Sequence, residues 1–202
     1  MPPLQAFRDN HRIQFQDPQL ADHLWTATGL RQLCSGLPGE DGRDAAVGLN
    51  PNIRIYRYQS GQKFGRHIDE SNELGGKRYT QYTLLIYLSQ CGGGQTVFYG
   101  ESGRGAAGCC MQPVAGWLWQ AGSGARPVQS RHLNRCYRAA CALLPAATPR
   151  AGSRNRKLAS VTPQPGLALL HKHGDYCLEH EALAVTSGVK YVLRSDVVFQ
   201  RR

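Results

Sequence analysis

NIRIYRYQSGQKFGRHIDES, residues 52–71, is a strand, a turn and the start of a second strand. Its first seven residues alternate with period two. Ile53 and Ile55 fall on one face with positions 57 and 59, while Tyr56 and Tyr58 fall on the other. Ser60-Gly61-Gln62 reads as a turn, and KFGRHID (63–69) enters the second extended piece. Side chains two apart on a strand share a face, so His67 and Asp69 point the same way. A polar strand end would account for the pair, and so would two ligands to one metal ion.

Downstream the same grammar continues. YTLLIYLS (82–89) is an almost wholly apolar strand, as expected of one buried on both faces, and CGGGQ (91–95) turns the chain into TVFY (96–99). Strand patterns resume with LASVTP (158–163), a Pro-Gly turn, GLALLHKH (166–173), LEHEALAV (178–185), a turn at Gly188 and VKYVLRSDVVF (189–199). Upstream, DPQLADHLWTATGLRQL (17–33) predicts one helix: Asp17 can cap it, Pro18 suits its first turn, and Leu20, Leu24 and Trp25 recur at helical spacing. Short strands divided by turns, with little helix after residue 40, predict a mainly β sandwich, jelly roll or barrel.

At 202 residues the chain suffices for one domain with a sizeable core. Between residues 101 and 157 the pattern breaks. The segment has no sustained period, is rich in Ala, Gly, Arg and Pro, and carries four of the seven cysteines. So long a stretch without clear elements inside a domain is expected to be a lid, a disordered loop or an insertion foreign to the native protein. It also carries most of the net charge of +10. Its nine basic and one acidic residues give +8, and the other 15 basic and 13 acidic residues give +2. Nucleic acid is therefore disfavoured as a partner, because the basicity lies outside the strand-forming regions. The cysteines are odd in number and irregular in spacing, with no CxxC pair, so free thiols are expected. No apolar run is long enough to cross a bilayer, and the first residues lack the apolar core of a secretory signal. The expectation is a soluble, intracellular protein of the cytoplasm or nucleus.

An HxD triplet is a weak signal, and this chain has two. His173-Gly174-Asp175 spans a glycine and reads as a surface turn, whereas His67 and Asp69 have the strand spacing that aligns two ligands. A facial triad needs a second histidine brought in by the fold, and the candidate is His180. Ten residues on, Lys190 supplies the cation that a cofactor with a distal carboxylate would need. Arg194 is its rival, since in a straight strand both point to one face.

Taken together, NIRIYRYQSGQKFGRHIDES, YTLLIYLS with GGGQT (92–96), PQPGLALLHKH (163–173) and HEALAVTSGVKYVLRSDVVF (180–199) resemble the catalytic domain of iron(II)- and 2-oxoglutarate-dependent oxygenases of the prolyl 4-hydroxylase type. The resemblance covers roughly 45–100 and 157–200. It implies a double-stranded β-helix, a jelly roll, with a flanking N-terminal helix over 1–44, a core of 45–100 and 157–202, and a poorly ordered insertion over 101–156. His67, Asp69 and His180 would bind Fe(II). Lys190 rather than Arg194 would hold the far carboxylate of 2-oxoglutarate, helped by Tyr58 and Thr96. The implied reaction uses O2 to hydroxylate a peptide or protein side chain, proline among the candidates, with release of succinate and CO2. Ascorbate dependence is a further implication.

Phe64 stands where peptide hydroxylases of this type tend to have Tyr, and Asp196 where they tend to have Trp, so the resemblance leaves the substrate open. The N-terminal support is shorter than is usual for the family, which suggests a truncated start. A nucleic-acid demethylase of the same chemistry and an inactive jelly-roll binding module are the competing readings. The first usually binds the cosubstrate through Arg, and the second has no need of an intact triad with its lysine.

Overall fold

The computed structural model describes residues 6–100, 112–114 and 156–202. In chain order the elements are β1 (His11–Gln16), α1 (Pro18–Ala27), α2 (Leu30–Cys34), β2 (Ala45–Leu49), β3 (Asn52–Tyr58), β4 (Phe64–His67), β5 (Glu73–Gly75), β6 (Arg78–Tyr87), β7 (Cys91–Gly93), β8 (Thr96–Gly100), β9 (Gln112–Val114), β10 (Arg156–Val161), β11 (Ala168–Lys172), β12 (His180–Ala182), β13 (Val185–Gly188) and β14 (Lys190–Gln200).

Every ladder is antiparallel. The large sheet runs β1-β3-β14-β6-β11-β9, with β2 also on β14 and β5 on β6. The small sheet runs β10-β8-β12-β4, and β7 pairs with β13. This is a mainly β jelly roll.

Alternation along the central strands divides the interior into two compartments. Ile53, Tyr82, Leu84, Ile86, Ala168, Leu170, Leu193 and Val197 join one core with Ala21, Trp25, Leu30 and Cys34 of the helices. Their neighbours on the opposite face, among them Tyr87, Leu169 and Val192, pack with Phe98 of the small sheet. That is why YTLLIYLS is apolar throughout: one face meets the helices and the other the small sheet. Each fully buried side chain of this size contributes about 1.5–3 kcal/mol.

Four expectations change. The predicted single helix is two, because Gly29 adopts φ 77°, which interrupts the helical turn between Ala27 and Leu30. The Asp17 cap holds, its carboxylate accepting the Leu20 N–H at 2.9 Å. β1 was not anticipated. It is an edge strand with a largely exposed surface, so its sequence carries little apolar pattern. LEHEALAV is not one strand but parts of two, β12 and β13, which belong to different sheets. Within 101–156, Gln112–Val114 form β9 along β11, and Arg156 begins β10, with its Cα opposite Gly100. The rest of that segment, and with it the expectation of disorder or foreign origin, lies outside the described residues.

Candidate metal centre

Register brings the two histidines together. β12 pairs with β4 so that His180 lies directly opposite His67, and their ring centroids are 4.2 Å apart. Asp69 is reached differently from the sequence expectation, because β4 ends at His67 and Asp69 lies beyond it. Its backbone is pinned instead by the Gly174 N–H, which donates to its carbonyl at 2.8 Å, and by its own N–H donating to Cys177 Sγ at 3.2 Å. The carboxylate is buried. His67 Nε2 stands 3.7 Å from Oδ1 and His180 Nε2 3.6 Å from Oδ2.

The outer contacts fix which nitrogen faces inward. Nδ1 of His67 lies 2.9 Å from the Gly65 carbonyl, and Nδ1 of His180 lies 2.9 Å from the Leu178 carbonyl. A carbonyl only accepts, so Nδ1 carries the proton and Nε2 turns a lone pair toward Asp69. Burial favours the neutral ring, pushing the His67 pKa down to about 4 and lowering that of His180. Phe64 stacks on His67 at 3.7 Å between centroids and Phe98 on His180 at 5.3 Å, which holds both rings in place. Phe64 thus serves the His67 ring directly.

Asp69 is also held by a network that the sequence did not reveal. Arg194 Nη1 donates to Oδ1 at 2.8 Å, and Thr83 Oγ1 donates to Oδ2 at 2.9 Å. Burial alone would raise the carboxyl pKa, but Arg194 and the surrounding histidines outweigh it and hold the group well below the usual carboxylate range. Asp196, the position where a substrate-facing Trp was expected, is fully buried between Arg194 at 3.5 Å and Arg54 at 3.9 Å. It belongs to this charge network. The second triplet also differs from expectation: Gly174–Tyr176 do form a short helical turn, but His173 is buried, with Nδ1 3.1 Å from Thr83 Oγ1.

Register also separates the two candidate cations. Lys190 lies opposite Tyr58 on β3, whereas Arg194 lies four residues further along the strand, opposite Arg54 and already paired with Asp69 and Asp196. Lys190 Nζ donates to the Gly94 carbonyl at 2.6 Å and sits over the rings of Tyr58 at 5.0 Å and Tyr87 at 5.6 Å. Among the described residues no carboxylate pairs with it. Burial lowers its pKa to about 8. Thr96 is close by in the same cleft, its hydroxyl 2.7 Å from that of Tyr87, a residue the sequence reading did not single out. Tyr58 turns its ring face toward the ammonium. The cleft is lined by Tyr58, His67, Asp69, Thr96, His180 and Lys190, so the six residues named from sequence share one cavity.

A viral collagen prolyl hydroxylase from Paramecium Bursaria Chlorella virus-1, solved in complex with 2OG, is similar at a TM-score of 0.50 and 13% identity, over 99% of this chain and 83% of that one. The fold is that of the prolyl 4-hydroxylases. A prolyl-4-hydroxylase from Pseudomonas putida is similar at a TM-score of 0.49 and 13% identity, over 100% of this chain and 77% of that one. No protein-family model matches the sequence, and no curated protein does. No helix among the described residues is long and apolar enough to cross a membrane.

Proposed function

We propose that this chain is an Fe(II)- and 2-oxoglutarate-dependent dioxygenase that hydroxylates a peptide or protein side chain, with proline the first target to test. The observation that carries the reading is the pairing of two sites in one cleft. Two neutral imidazoles aim lone pairs at a buried carboxylate, and a buried lysine without a carboxylate partner among the described residues lines the same cavity. A divalent cation satisfies the first arrangement and a dicarboxylate the second.

Iron with 2-oxoglutarate would supply the oxidising chemistry, consuming O2 and releasing succinate and CO2. The chain's own residues have defined tasks. His67, Asp69 and His180 would hold the metal, with the carbonyls of Gly65 and Leu178 fixing the imidazole tautomers. Arg194 and Thr83 would orient Asp69 by holding one oxygen each. Lys190 would bind the far carboxylate of the cosubstrate, with the hydroxyls of Thr96 and Tyr87 beside it. Tyr58, Phe64 and Phe98 would keep water from the centre. Arg194 is engaged by Asp69 and Asp196, which disfavours the demethylase reading in which an arginine binds the cosubstrate. The thiols of Cys34 and Cys91, free among the described residues, suit a reducing compartment and an intracellular enzyme.

The test is succinate formation from 2-oxoglutarate by protein supplied with Fe(II) and ascorbate, beside Asp69→Ala and His67→Ala. Turnover confined to the wild type is expected. Its absence in folded, iron-loaded protein would overturn the reading and leave a binding module.

A further inference from the structure

Asp69 borders two hollows: the metal cleft and an open groove of about 670 Å³, built from the loop after β4, the turn between β11 and β12, and Gln81 of β6. The groove is acidic. It carries the carboxylates of Glu40, Asp69, Glu70 and Asp175, and no Lys or Arg among the described residues lines it. Two of these carboxylates are balanced, Asp69 by Arg194 at 2.8 Å and Glu40 by Arg201 at 3.1 Å. Glu70 and Asp175 are exposed and form no ion pair among the described residues. The ammonium of Lys172 is taken up by the ring of Tyr176, at 4.9 Å. The chain as a whole carries +10, so an acidic groove runs against its composition.

Surface carboxylates are common without a ligand, and Gln81 is what distinguishes these. It is 3% exposed, and its Oε1 is buried without a hydrogen-bond partner. Thr83, two residues on and so on the same face of β6, spends its proton on Asp69 Oδ2, and His173 turns its Nδ1 to Thr83. A buried acceptor left in this way forfeits its hydration and calls for a donor. Beside two unbalanced carboxylates, the donor that fits is cationic. Ile68 and Tyr176 line the same groove and are exposed, which offers apolar surface to the alkyl stem of a lysine or arginine.

We propose that this groove binds a lysine or arginine side chain of the substrate, so that the hydroxylated polypeptide is basic beside its target residue. This rests on the dioxygenase reading above and names its substrate class. Because Asp69 belongs to both hollows, a side chain held in the groove brings the residues next to it up to the metal cleft.

The experiment uses the full chain loaded with Co(II) and 2-oxoglutarate, and short fluorescent peptides in which a proline is flanked by lysine, glutamine or glutamate. Binding is read by fluorescence anisotropy, and succinate formation with Fe(II) and no peptide is measured separately. The lysine peptide should bind about tenfold tighter than its glutamine twin, and the glutamate peptide weakest. Gln81→Leu should weaken the lysine peptide roughly 10–100-fold, the worth of a hydrogen bond to a charged group, and leave the glutamine peptide unchanged. Glu70→Gln with Asp175→Asn should weaken it roughly two- to fivefold per carboxylate, and less at high salt. Peptide-independent succinate formation should stay at the wild-type level in both variants. Equal affinity for the lysine and glutamine peptides, in protein that forms succinate, would overturn the groove and leave the dioxygenase standing. Lysine-selective binding that depends on Gln81, in protein that forms no succinate, would support a basic-peptide site and overturn the dioxygenase. Spermidine binding as tightly as the lysine peptide would overturn a polypeptide occupant. Should Gln81→Leu fail to fold by circular dichroism, the exposed pair Glu70→Gln and Asp175→Asn carries the test.

Discussion

Raising the pH should weaken 2-oxoglutarate binding through one side chain. Burial lowers the Lys190 pKa from 10.5 to about 8, so the ammonium needed for the cosubstrate's far carboxylate begins to lose its proton just above neutrality. If only the charged form binds, the dissociation constant should rise roughly tenfold between about pH 7 and about pH 9. The same burial has a stability sign. The unfolded chain holds its lysine proton up to 10.5 while the folded chain releases it near 8, so the unfolded state binds more protons in that window. Folding stability contributed by this group therefore rises with pH across it, recovering about 3 kcal/mol that confining the ammonium costs at neutral pH. Affinity and stability thus move in opposite directions. The assay is anaerobic calorimetry of 2-oxoglutarate on Fe(II)-loaded protein across the pH range, with chemical denaturation of the ligand-free protein in the same buffers. Lys190→Met should bind weakly and without this pH dependence. A wild-type affinity that stays flat to pH 9, or a slope that persists in Lys190→Met, would refute the assignment of the lysine.

Three other perturbations separate the parts of the site. Arg194→Met removes the partner of a buried carboxylate and should destabilise the metal-free protein by about 3–5 kcal/mol in urea unfolding. Co(II) should recover part of that loss by replacing the missing cation at Asp69; an equal defect with and without metal would count against Asp69 as a ligand. Gly94→Ala places a Cβ 3.2 Å from Lys190 Cδ and 3.0 Å from Cys91 Sγ, at a backbone φ of +67°. It should weaken 2-oxoglutarate binding while metal uptake stays intact, so loss of both would contradict a local effect. Tyr79→Phe deletes the hydroxyl that donates to Asp44 at 2.7 Å and accepts from the Glu40 N–H at 2.8 Å. It should cost about 1–3 kcal/mol of stability and leave Co(II) affinity unchanged, as titration will show.

What could be read from sequence was whatever a single strand declares about itself. Alternation in NIRIYRY and the unbroken apolar run in YTLLIYLS announced β3 and β6, because each strand's two faces meet different surroundings. His67, His180 and Lys190 could be named because their spacing is a local property. What decides between neighbours is register, which is not local. Lys190 and Arg194 share a face in the sequence, and only pairing with β3 and the approach of Asp69 give one an open role and the other a partner. The approach of His171 to Asp69, with Nε2 3.7 Å from Oδ2, was hidden for the same reason: in ALLHK it looks like a polar interruption, and its direction follows from alignment with Thr83. Asp196 looked like a missing Trp, because nothing in VLRSDVVF shows that Arg54 would lie within 3.9 Å of it. The Gly29 break was visible as a residue but not as a geometry, since an isolated glycine is tolerated within some helical patterns and ends others.

The ladder between β8 and β10 gives the fold a seam. Gly100 and Arg156 face each other as partners, and Lys157 faces Tyr99, so the chain comes back to the rung beside the one it left. Lengthening a flexible connection from a few residues to some tens costs only about 2 kcal/mol of closure entropy. Phe98 and Thr96, which serve the site, lie inward along β8 and are secured by pairing with His180 and Ala182. The pairings that hold these cleft residues therefore lie inward of the rung at which the chain leaves β8 and rejoins as β10, so changes at Gly100 or Arg156 should leave His180 and its neighbours in place.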